Sequence, residues 1–425
     1  AKASEDISSA GVAGAVGGLA SLAGGITTVV MTNVTEAELG GTTVAQGNVD
    51  VLAEDITRSG MLAGSVAVGG AAGIGAAVSL ISLDKTTTAK IADGAQVTAF
   101  AIGADDHTVY TGNSFTDTRS TGGGINVDAS SKQSAFTLAI AGAAGLGAGV
   151  SGVVSVELMD VKTAATIGNN VGINQDGSNA TGEADQDVVV SARDTTVTMV
   201  FDGGFAAGLG AGIAGAVDVG VFKNATSATI GDNTTVNAKG DVLVSGLSNK
   251  AGSSTTVSGA LGLVGIAAGI SVYSYGDGIS AAGEGNKKLE ESSDDGETGL
   301  TAVTDKAQEN LNDGSVNENL QSSDSASVKS ISASAQAKRN AVELTDSVTA
   351  LNVPAGTSGN IGNATITSGG KVAVTSSDKL VTEFETGAIA GGAVGVGAGI
   401  GILDVDTDST AQISGASRIT ANQLA

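Results

Sequence analysis

The chain has 425 residues and a formal net charge of −24, with 65 glycines, one proline, one histidine and no cysteine or tryptophan. Because nucleic-acid binding needs clustered lysine and arginine, the 20 scattered basic residues argue against a nucleic-acid partner. Aromatic residues make up 2% of the chain, so small aliphatic side chains must fill the interior, which favours thin layers. The acidic, cysteine-free composition is compatible with export from the cell.

Neither a secretion signal nor a membrane span is recognisable. The first residues, AKASEDISSAG, lack an initiator methionine and the basic and leucine-rich regions of a signal, so we expect a mature or internal piece of a longer protein. The run from Ser134 to Val156 is uncharged and long enough to span a bilayer. However, glycine and alanine contribute little transfer free energy, and Asp202 and Asp218 interrupt an equivalent run, so we predict no membrane span in this chain.

One segment recurs six times along the chain: an uncharged Gly/Ala run, a Thr-rich stretch, and a short valine strand. The Gly/Ala runs lie at residues 17–26, 69–78, 142–150, 204–213, 259–270 and 391–400. A repeat in fixed order indicates that each unit buries its apolar face against its neighbours, which produces a stack.

Glycines alternate with small apolar residues inside these runs, as at Gly145, Gly147 and Gly149. A period of two is typical of a β-strand, and repeated glycine in a strand indicates the close approach of a second layer. We therefore expect Gly147→Leu to destabilise the stack more than Asp106→Ala, a change in a loop.

Each Thr-rich stretch ends in an Ala-x-Ile element such as Ala165–Ile167, and a β-branched strand such as Asp187–Ser191 follows after a turn. These patterns predict an all-β fold, a parallel β-helix or β-solenoid of Gly/Ala/Val-rich repeats. If each unit holds two or three coils, the coil length is on the order of 20–30 residues, but the sequence does not give the number of coils. The positions taken as equivalent from unit to unit are Gly25, Ala77, Gly149, Gly212 and Gly269.

Insertions are predicted at one corner of the unit, because the distance from the Ala-x-Ile element to the next strand varies most. It is longer between Ile91 and Ile125 than between Ile230 and Val242. Loops on one edge of a stack are the first place to look for binding.

A larger insertion is predicted at 285–351, where the Gly/Val pattern gives way to helix formers, Ser, Asp and Glu. Val328, Ile331, Ala335 and Val342 recur at helical spacing, which favours a mainly helical or disordered segment. The predicted organisation is therefore β-solenoid repeats over 1–284, this insertion over 285–351, and continued repeats over 352–425.

No pattern predicts a catalytic or cofactor site. Gly147, Gly149 and Gly152 match the dinucleotide fingerprint G-x-G-x-x-G, but they lie inside a repeated strand-like segment and do not open a helix. His107 has no cysteine or second histidine with which to build a catalytic centre, and an exposed loop position explains it better. A carboxylate-pair glycosidase would be expected to offer more aromatic platforms. We predict that the chain is not an enzyme.

The best candidate for a metal site is the sequence LDVDTDST, in which Asp404, Asp406 and Asp408 alternate along a predicted strand. Alternate placement would project three carboxylates from one face, and calcium prefers such oxygen ligands. The alternative is a solvated acidic face, because the segment lacks the glycine and terminal glutamate of an EF-hand loop.

The succession of Gly/Ala run, Thr-Ala-x-Ile-Gly and Gly-Asp-Val-x-Val resembles the passenger regions of very large secreted bacterial adhesins. These include filamentous-haemagglutinin-like and leukotoxin-like exoproteins and autotransporter passengers. The resemblance covers nearly all of the chain outside 285–351 and rests on repeat style. It implies a parallel β-helix fibre on, or released from, the surface of a Gram-negative-type bacterium.

From these observations we expect a structural and adhesive extracellular fibre segment that binds ligands on host or neighbouring cells. The alternative is a self-assembling filament or surface-layer subunit, joined through solenoid ends or Gly-rich faces.

Overall fold

The computed structural model describes residues 1–105, 107–110, 118–175, 182–276 and 355–425, with the backbone alone for 107–110 and 118–121. All regular secondary structure in these ranges is β-strand. The predicted insertion at 285–351 lies outside the described residues.

Three sheets contain all but two of the strands, and every strand pair within them is parallel. Sheet 1 and sheet 2 are built of long strands, whereas the strands of sheet 3 are short. Sheet 1 contains β1 (Lys2–Gly17), β4 (Val49–Gly69), β9 (Gly124–Gly145), β12 (Asp187–Gly208), β15 (Val242–Leu261), β19 (Lys371–Gly391) and β23 (Gln423–Leu424). Sheet 2 contains β2 (Ala20–Leu39), β5 (Ala72–Ile91), β10 (Ala148–Ile167), β13 (Ala211–Ile230), β16 (Val264–Tyr275), β17 (Gly356–Ile361), β20 (Val394–Val405) and β21 (Ser409–Ile413). Sheet 3 contains β3 (Thr42–Ala45), β6 (Gln96–Ala99), β11 (Gly172–Ile173), β14 (Thr235–Ala238), β18 (Thr365–Ser368) and β22 (Arg418–Thr420). The remaining strands, β7 (His107–Tyr110) and β8 (Thr118–Thr121), pair antiparallel with each other.

The chain runs through sheet 1, sheet 2 and sheet 3 in turn and then begins again in sheet 1; we call one such circuit a pass. Each sequence repeat forms a single long pass and not two or three short coils, which answers the question of coil number that the sequence left open. Two of the equivalences assumed between units were wrong by four residues. Gly149 pairs with Gly73 and not with Ala77, and Gly212 pairs with Gly265 and not with Gly269. The other pairings place identical or similar residues side by side in neighbouring passes, as at Ile167 and Ile230.

The broad end of the stack, where sheet 3 joins the other two sheets, holds the main apolar core. Its buried valines, isoleucines and alanines come from all three sheets and include Val97, Ile125, Ile167 and Val236. A buried row of threonines lines sheet 2 next to this core, one from each of five passes: Thr35, Thr87, Thr163, Thr226 and Thr357. The Thr-rich stretches of the sequence are therefore partly interior.

At the opposite end, connections of two residues join each sheet 1 strand to the following sheet 2 strand, and the two sheets face each other closely. We call this part the blade; in the strand register it comprises residues 7–31, 59–83, 135–159, 198–222, 252–275 and 382–405. A Cβ atom added to Gly149 would collide with the backbone of Ala207 in the facing sheet, and one added to Gly204 would lie 2.6 Å from the Gly215 oxygen. The prediction that glycine permits a close second layer is confirmed.

Gly147 was wrongly assigned to that layer. An added Cβ there would instead lie 2.9 Å from the Ala71 oxygen of the neighbouring connection, so the expected order of Gly147→Leu and Asp106→Ala stays a prediction, and Asp106 lies outside the described residues. Gly145 ends β9, whereas Leu146 and Gly147 form the exposed connection to β10. The alternation of glycines therefore continues across a change of sheet, and Gly149 is the residue that faces sheet 1.

Insertions occur at the predicted corner between sheet 3 and sheet 1. Residues 100–123 separate β6 from β9, and residues 174–186 separate β11 from β12. The segment 277–355 enters elsewhere, because β16 and β17 both pair with β13 and occupy one strand position of sheet 2.

Candidate functional site

The interior of the blade contains three carboxyl groups that the fold removes from water. Glu157 on β10, Asp202 on β12 and Asp218 on β13 are at most 3% exposed. Each occupies an alternate strand position that faces the opposite sheet, between the Gly/Ala layer and a cluster of Met and aromatic side chains. They are the only acidic or basic residues of the blade that face inward.

Hydroxyl groups satisfy part of this cluster. The Tyr273 hydroxyl donates to Asp218 Oδ2 over 2.7 Å, and Ser254 donates to the same oxygen. Ser155 donates to Asp202 Oδ1 over 2.7 Å. Both oxygens of Glu157 lack a hydrogen-bond partner, which carries a large desolvation cost if the group is charged.

Burial raises the pKa of all three carboxyls, and it raises that of Glu157 and Asp202 well above the ordinary range. The neighbouring Asp218 raises the pKa of the other two further, because like charges in a dry site repel. The arrangement therefore holds protons in the folded protein at a pH at which the unfolded chain has released them.

We expect Glu157→Gln to flatten the dependence of stability on pH. A carboxyl with a raised pKa in the folded state stabilises the fold at acid pH, and this contribution is lost as pH rises above about 4 and through the raised pKa. Glutamine keeps the shape but cannot ionise, so the urea midpoint of the variant should fall less than that of the wild type between about pH 4 and pH 8. Glu383→Gln, at an exposed position of β19, is the matched control. Parallel pH profiles for wild type and Glu157→Gln would contradict this assignment.

A second polar layer lies nearer the broad end and contains buried ion pairs. Lys85 Nζ lies 2.7 Å from Asp55 Oδ1, and both side chains are fully buried. Lys85 also donates to the Thr57 hydroxyl and to the Asp55 carbonyl oxygen, over 3.1 and 3.0 Å. Burial lowers the pKa of Lys85, and its hydrogen bond to Asp55 opposes that shift. A second pair, Lys250 Nζ to Asp378 Oδ2 at 2.7 Å, lies in the same layer.

Asp194 lies between these two pairs and is held by amide groups. Gln133 and Asn224 each donate to it over 2.6 Å. Burial raises the pKa of Asp194 to about 6, while those hydrogen bonds and the nearby lysines oppose the shift. The layer thus links neighbouring passes through charge-assisted hydrogen bonds.

The outer surface of the blade carries few charges: its outward-facing acidic residues, Glu383, Glu385 and Asp404, all lie in the last pass, and no basic residue of the blade points outward. Leucines at four of the connections are highly exposed: Leu19, Leu146, Leu209 and Leu263. On the outer side of sheet 1, Val66, Phe205, Leu261 and Ile389 surround an open apolar groove of about 440 Å³. The blade therefore presents mainly apolar surface to its surroundings, whereas most of the charges lie elsewhere on the chain.

The predicted metal ligands do not share one continuous strand. Asp404 lies in β20, but Asp406 and Asp408 lie in the break between β20 and β21, beside the point where the chain leaves and re-enters sheet 2. All three are accessible, and the backbones of Asp406 and Asp408 bond to Tyr275 and Thr357. Within the described ranges, no group of three acidic, histidine or cysteine side chains is arranged to hold a metal. Calcium binding there stays a prediction, testable by calcium titration of wild type and Asp406→Asn.

The other sequence candidates are placed as follows. Gly149 and Gly152 lie on opposite faces of β10, and Gly147 precedes that strand, so this fingerprint does not open a helix. The backbone of His107 begins β7 within the first corner insertion. Among the residues that the structure describes, there is no helix long and apolar enough to cross a bilayer.

Sequence reasoning missed the carboxyl cluster because it treated Asp202 and Asp218 as charges interrupting an apolar run. A signal was present: Asp218 has the same parity as Gly212 and Ala216, which face inward. An acidic residue at an inward position of a strand indicates a buried carboxyl.

Comparison with known proteins adds no relative to this picture. No family model, no curated protein and no solved structure matches the chain.

Proposed function

We propose that this chain is a structural segment of an extracellular fibre, a parallel β-solenoid that projects binding surfaces from a bacterial cell. The observation that carries the proposal is the parallel, in-register pairing of equivalent residues over successive passes. Each pass contacts its neighbours through sheet hydrogen bonds, so passes can be added without changing the cross-section. Such a stack suits spacing and display.

The adhesive part of the proposal is supported by the position of the corner insertions. Residues 100–123 and 174–186 leave the stack at the same corner in neighbouring passes. Loops carried by a rigid scaffold are common positions for binding residues. The partners we propose are surface ligands of host or neighbouring cells.

A catalytic role finds little support in the described residues. The carboxyls that lie together, Glu157, Asp202 and Asp218, are sealed between the sheets, so a substrate cannot reach them.

The second candidate is a subunit of a self-assembling filament. Within the structure, β1 pairs only with β4, and β20 pairs only with β16, so each has an unpaired edge. Unpaired edges of parallel strands are templates for another chain.

A tandem of two copies joined by two residues tests the solenoid. Ala425 bonds to the backbones of Val372 and Val374, and Ala1 bonds to those of Leu52 and Glu54. In the strand register of sheet 1, Ala425 of the first copy is level with Ala373, and Ala1 of the second copy would be level with Ser376. Two strand positions therefore remain to be filled between the copies, and the first of them faces inward. We expect a Val-Ser linker to continue the stack, raise the urea midpoint and lengthen the stack by about 30 Å in electron micrographs, at about 4.8 Å per pass.

A three-residue linker is the matched control, because one extra residue turns every following side chain of the strand to the wrong face. If the two tandems have the same urea midpoint and length, the solenoid proposal fails.

Adhesion is tested separately, with beads coated with the single-copy protein. They should bind bacterial or epithelial cells more than albumin-coated beads do, and replacement of residues 106–117 by a Gly-Ser linker should reduce binding. Equal binding by coated and albumin beads would overturn the adhesive role while leaving the solenoid intact.

A further inference from the structure

The outer side of sheet 2 within the blade is an extended aliphatic surface, which we call the sheet 2 face. It is built from the alternate residues of six strands that point away from sheet 1, and strand pairing arranges them in straight rows along the stack. Two of the rows consist entirely of Leu, Ile and Val: Leu22, Ile74, Val150, Ile213, Ile266 and Val396; and Ile26, Val78, Val154, Val217, Ile270 and Ile400. Most members of both rows are accessible, with Ile26 60%, Val154 39% and Val396 55% exposed, whereas Ile270 is 9% exposed.

The shape of this face is corrugated. Between the two aliphatic rows runs a row of glycine and alanine, which makes a trough parallel to the stack. A Cβ added to Gly24, Gly152 or Gly215 in that row would meet nothing within 4 Å. These glycines therefore do not serve a close contact within the described fold, although glycine in a strand costs stability.

The size of the face exceeds what a monomer usually exposes. Six strands at about 4.8 Å spacing and about ten residues at about 3.3 Å rise give roughly 900 Å². A stable interface buries about 800 Å² per partner, and the largest exposed apolar patch of a typical monomer is about 300–600 Å². The available area is thus sufficient for a stable dimer.

The distribution of charge also favours a second copy of this chain as the partner of the sheet 2 face. The chain carries a net charge of −24, yet the outward-facing charges of the blade are confined to its last pass, and of these only Asp404 lies on the outer side of sheet 2. Two copies would repel each other through most of their surfaces, whereas the aliphatic rows of the sheet 2 face allow approach without a buried charge, with Asp404 at the margin of the face in the last pass. A second copy also repeats the same row spacing, so that an aliphatic row of one copy fits the trough of the other.

Insertion of this face into lipid is less favourable. The edge strands of sheet 2, β2 and β20, each have one side without a strand partner in the structure. Their unpaired backbone groups would have to enter hydrocarbon, at a cost of several kcal/mol each. Packing of two sheets face to face leaves these edges in water.

We propose that the sheet 2 face pairs with the same face of a second copy of this chain, forming a two-fold dimer in which aliphatic rows interlock along parallel or antiparallel stacks. This lateral pairing goes beyond the proposed adhesive role and does not depend on it.

Sedimentation velocity over a dilution series tests the pairing with charge placed at matched positions. The face variant carries Val154→Lys and Val217→Lys, two neighbours at the centre of the face. The control carries Thr166→Lys and Thr229→Lys, which are also neighbours on the outer side of β10 and β13 but lie outside the blade. We expect wild type and control to dimerise, and the face variant to dimerise at least about tenfold more weakly, because a charge would be buried. Circular dichroism confirms that both variants are folded.

Three results would overturn the proposal. One is a wild-type chain that stays monomeric up to tens of micromolar, and a second is a face variant that dimerises as strongly as the control. The third is a monomeric wild type that co-sediments with neutral phosphatidylcholine vesicles while the face variant does not, because lipid would then be the occupant. The proposal would also be overturned if the chain dimerised only after residues 277–353 were replaced by a short linker, because that segment and not a second copy would then occupy the face in the intact chain.

Discussion

Replacing Asp55 with alanine should lower the free energy of unfolding by about 3–5 kcal/mol, because it leaves the ammonium group of Lys85 buried without its charged partner. The ion pair is 2.7 Å long and both side chains are fully buried, so water cannot take the place of the carboxylate without opening the stack. Thr35 would also lose the acceptor to which it donates over 2.9 Å. The measurement is urea denaturation followed by circular dichroism.

The neighbouring residue provides the control for this prediction. Glu54 pairs with Lys2 over the same distance, 2.7 Å, but the two side chains are 42% and 66% exposed. Glu54→Ala should therefore change stability by at most about 0.5 kcal/mol. The double variant Asp55→Leu with Lys85→Met should recover most of the loss, since an apolar pair of similar volume needs no compensation. A similar loss for Asp55→Ala and Glu54→Ala would show that the buried pair has no special role.

Replacing Gly149 with alanine is expected to have the second large effect, a loss of about 2–3 kcal/mol or more from overpacking. The new Cβ would collide with the Ala207 carbonyl, lie 2.8 Å from the Ala207 nitrogen and lie 2.9 Å from the Ala143 oxygen. All three are backbone atoms, so relief requires the two sheets to separate at the blade. Urea denaturation at dilutions that keep the chain monomeric measures the effect.

Gly152→Ala is the control on the same strand. Gly152 faces outward, and an added Cβ meets nothing within 4 Å, so alanine should be neutral or stabilise the chain by about 0.5 kcal/mol. If both alanine variants unfold at the same urea concentration, the close approach of the two sheets does not limit stability.

Much of the fold could be predicted from the sequence, because residue types that alternate with a period of two indicate β-strands. The valine strands, the Thr-rich stretches and the existence of a close glycine layer were predicted correctly from local parity, although Gly147 was wrongly placed in that layer. The number of coils per unit could not be predicted, because Leu146 and Gly147 connect two sheets without proline, asparagine or a break in the alternation. A two-residue connection preserves parity, so the reversal of chain direction leaves no trace in the pattern.

The candidate sites depended on information that one sequence does not carry. Whether an aspartate on a strand faces the interior or the solvent depends on which face of the strand another sheet covers. The sequence does not show which sheet covers Asp218, so it was interpreted only as a charge that interrupts an apolar run. The outer face of sheet 2 was hidden for the same reason, because Val154 and Val153 look alike in sequence, yet they are 39% and 1% exposed. The break that separates Asp404 from Asp406 arises where a distant part of the chain enters sheet 2.

The length of a pass has a mechanical consequence. Equivalent residues in two neighbouring passes, such as Asn174 and Asn237, are 63 residues apart in sequence, yet they are separated by only about 4.8 Å along the stack. Tension applied along the stack would load the hydrogen bonds between passes one strand at a time, beginning at an end. Each pass that peeled away would release about 200 Å of extended chain. A stack of this design would therefore lengthen under load, each released pass replacing about 4.8 Å of stack by about forty times that length of chain, while the remaining passes stayed folded.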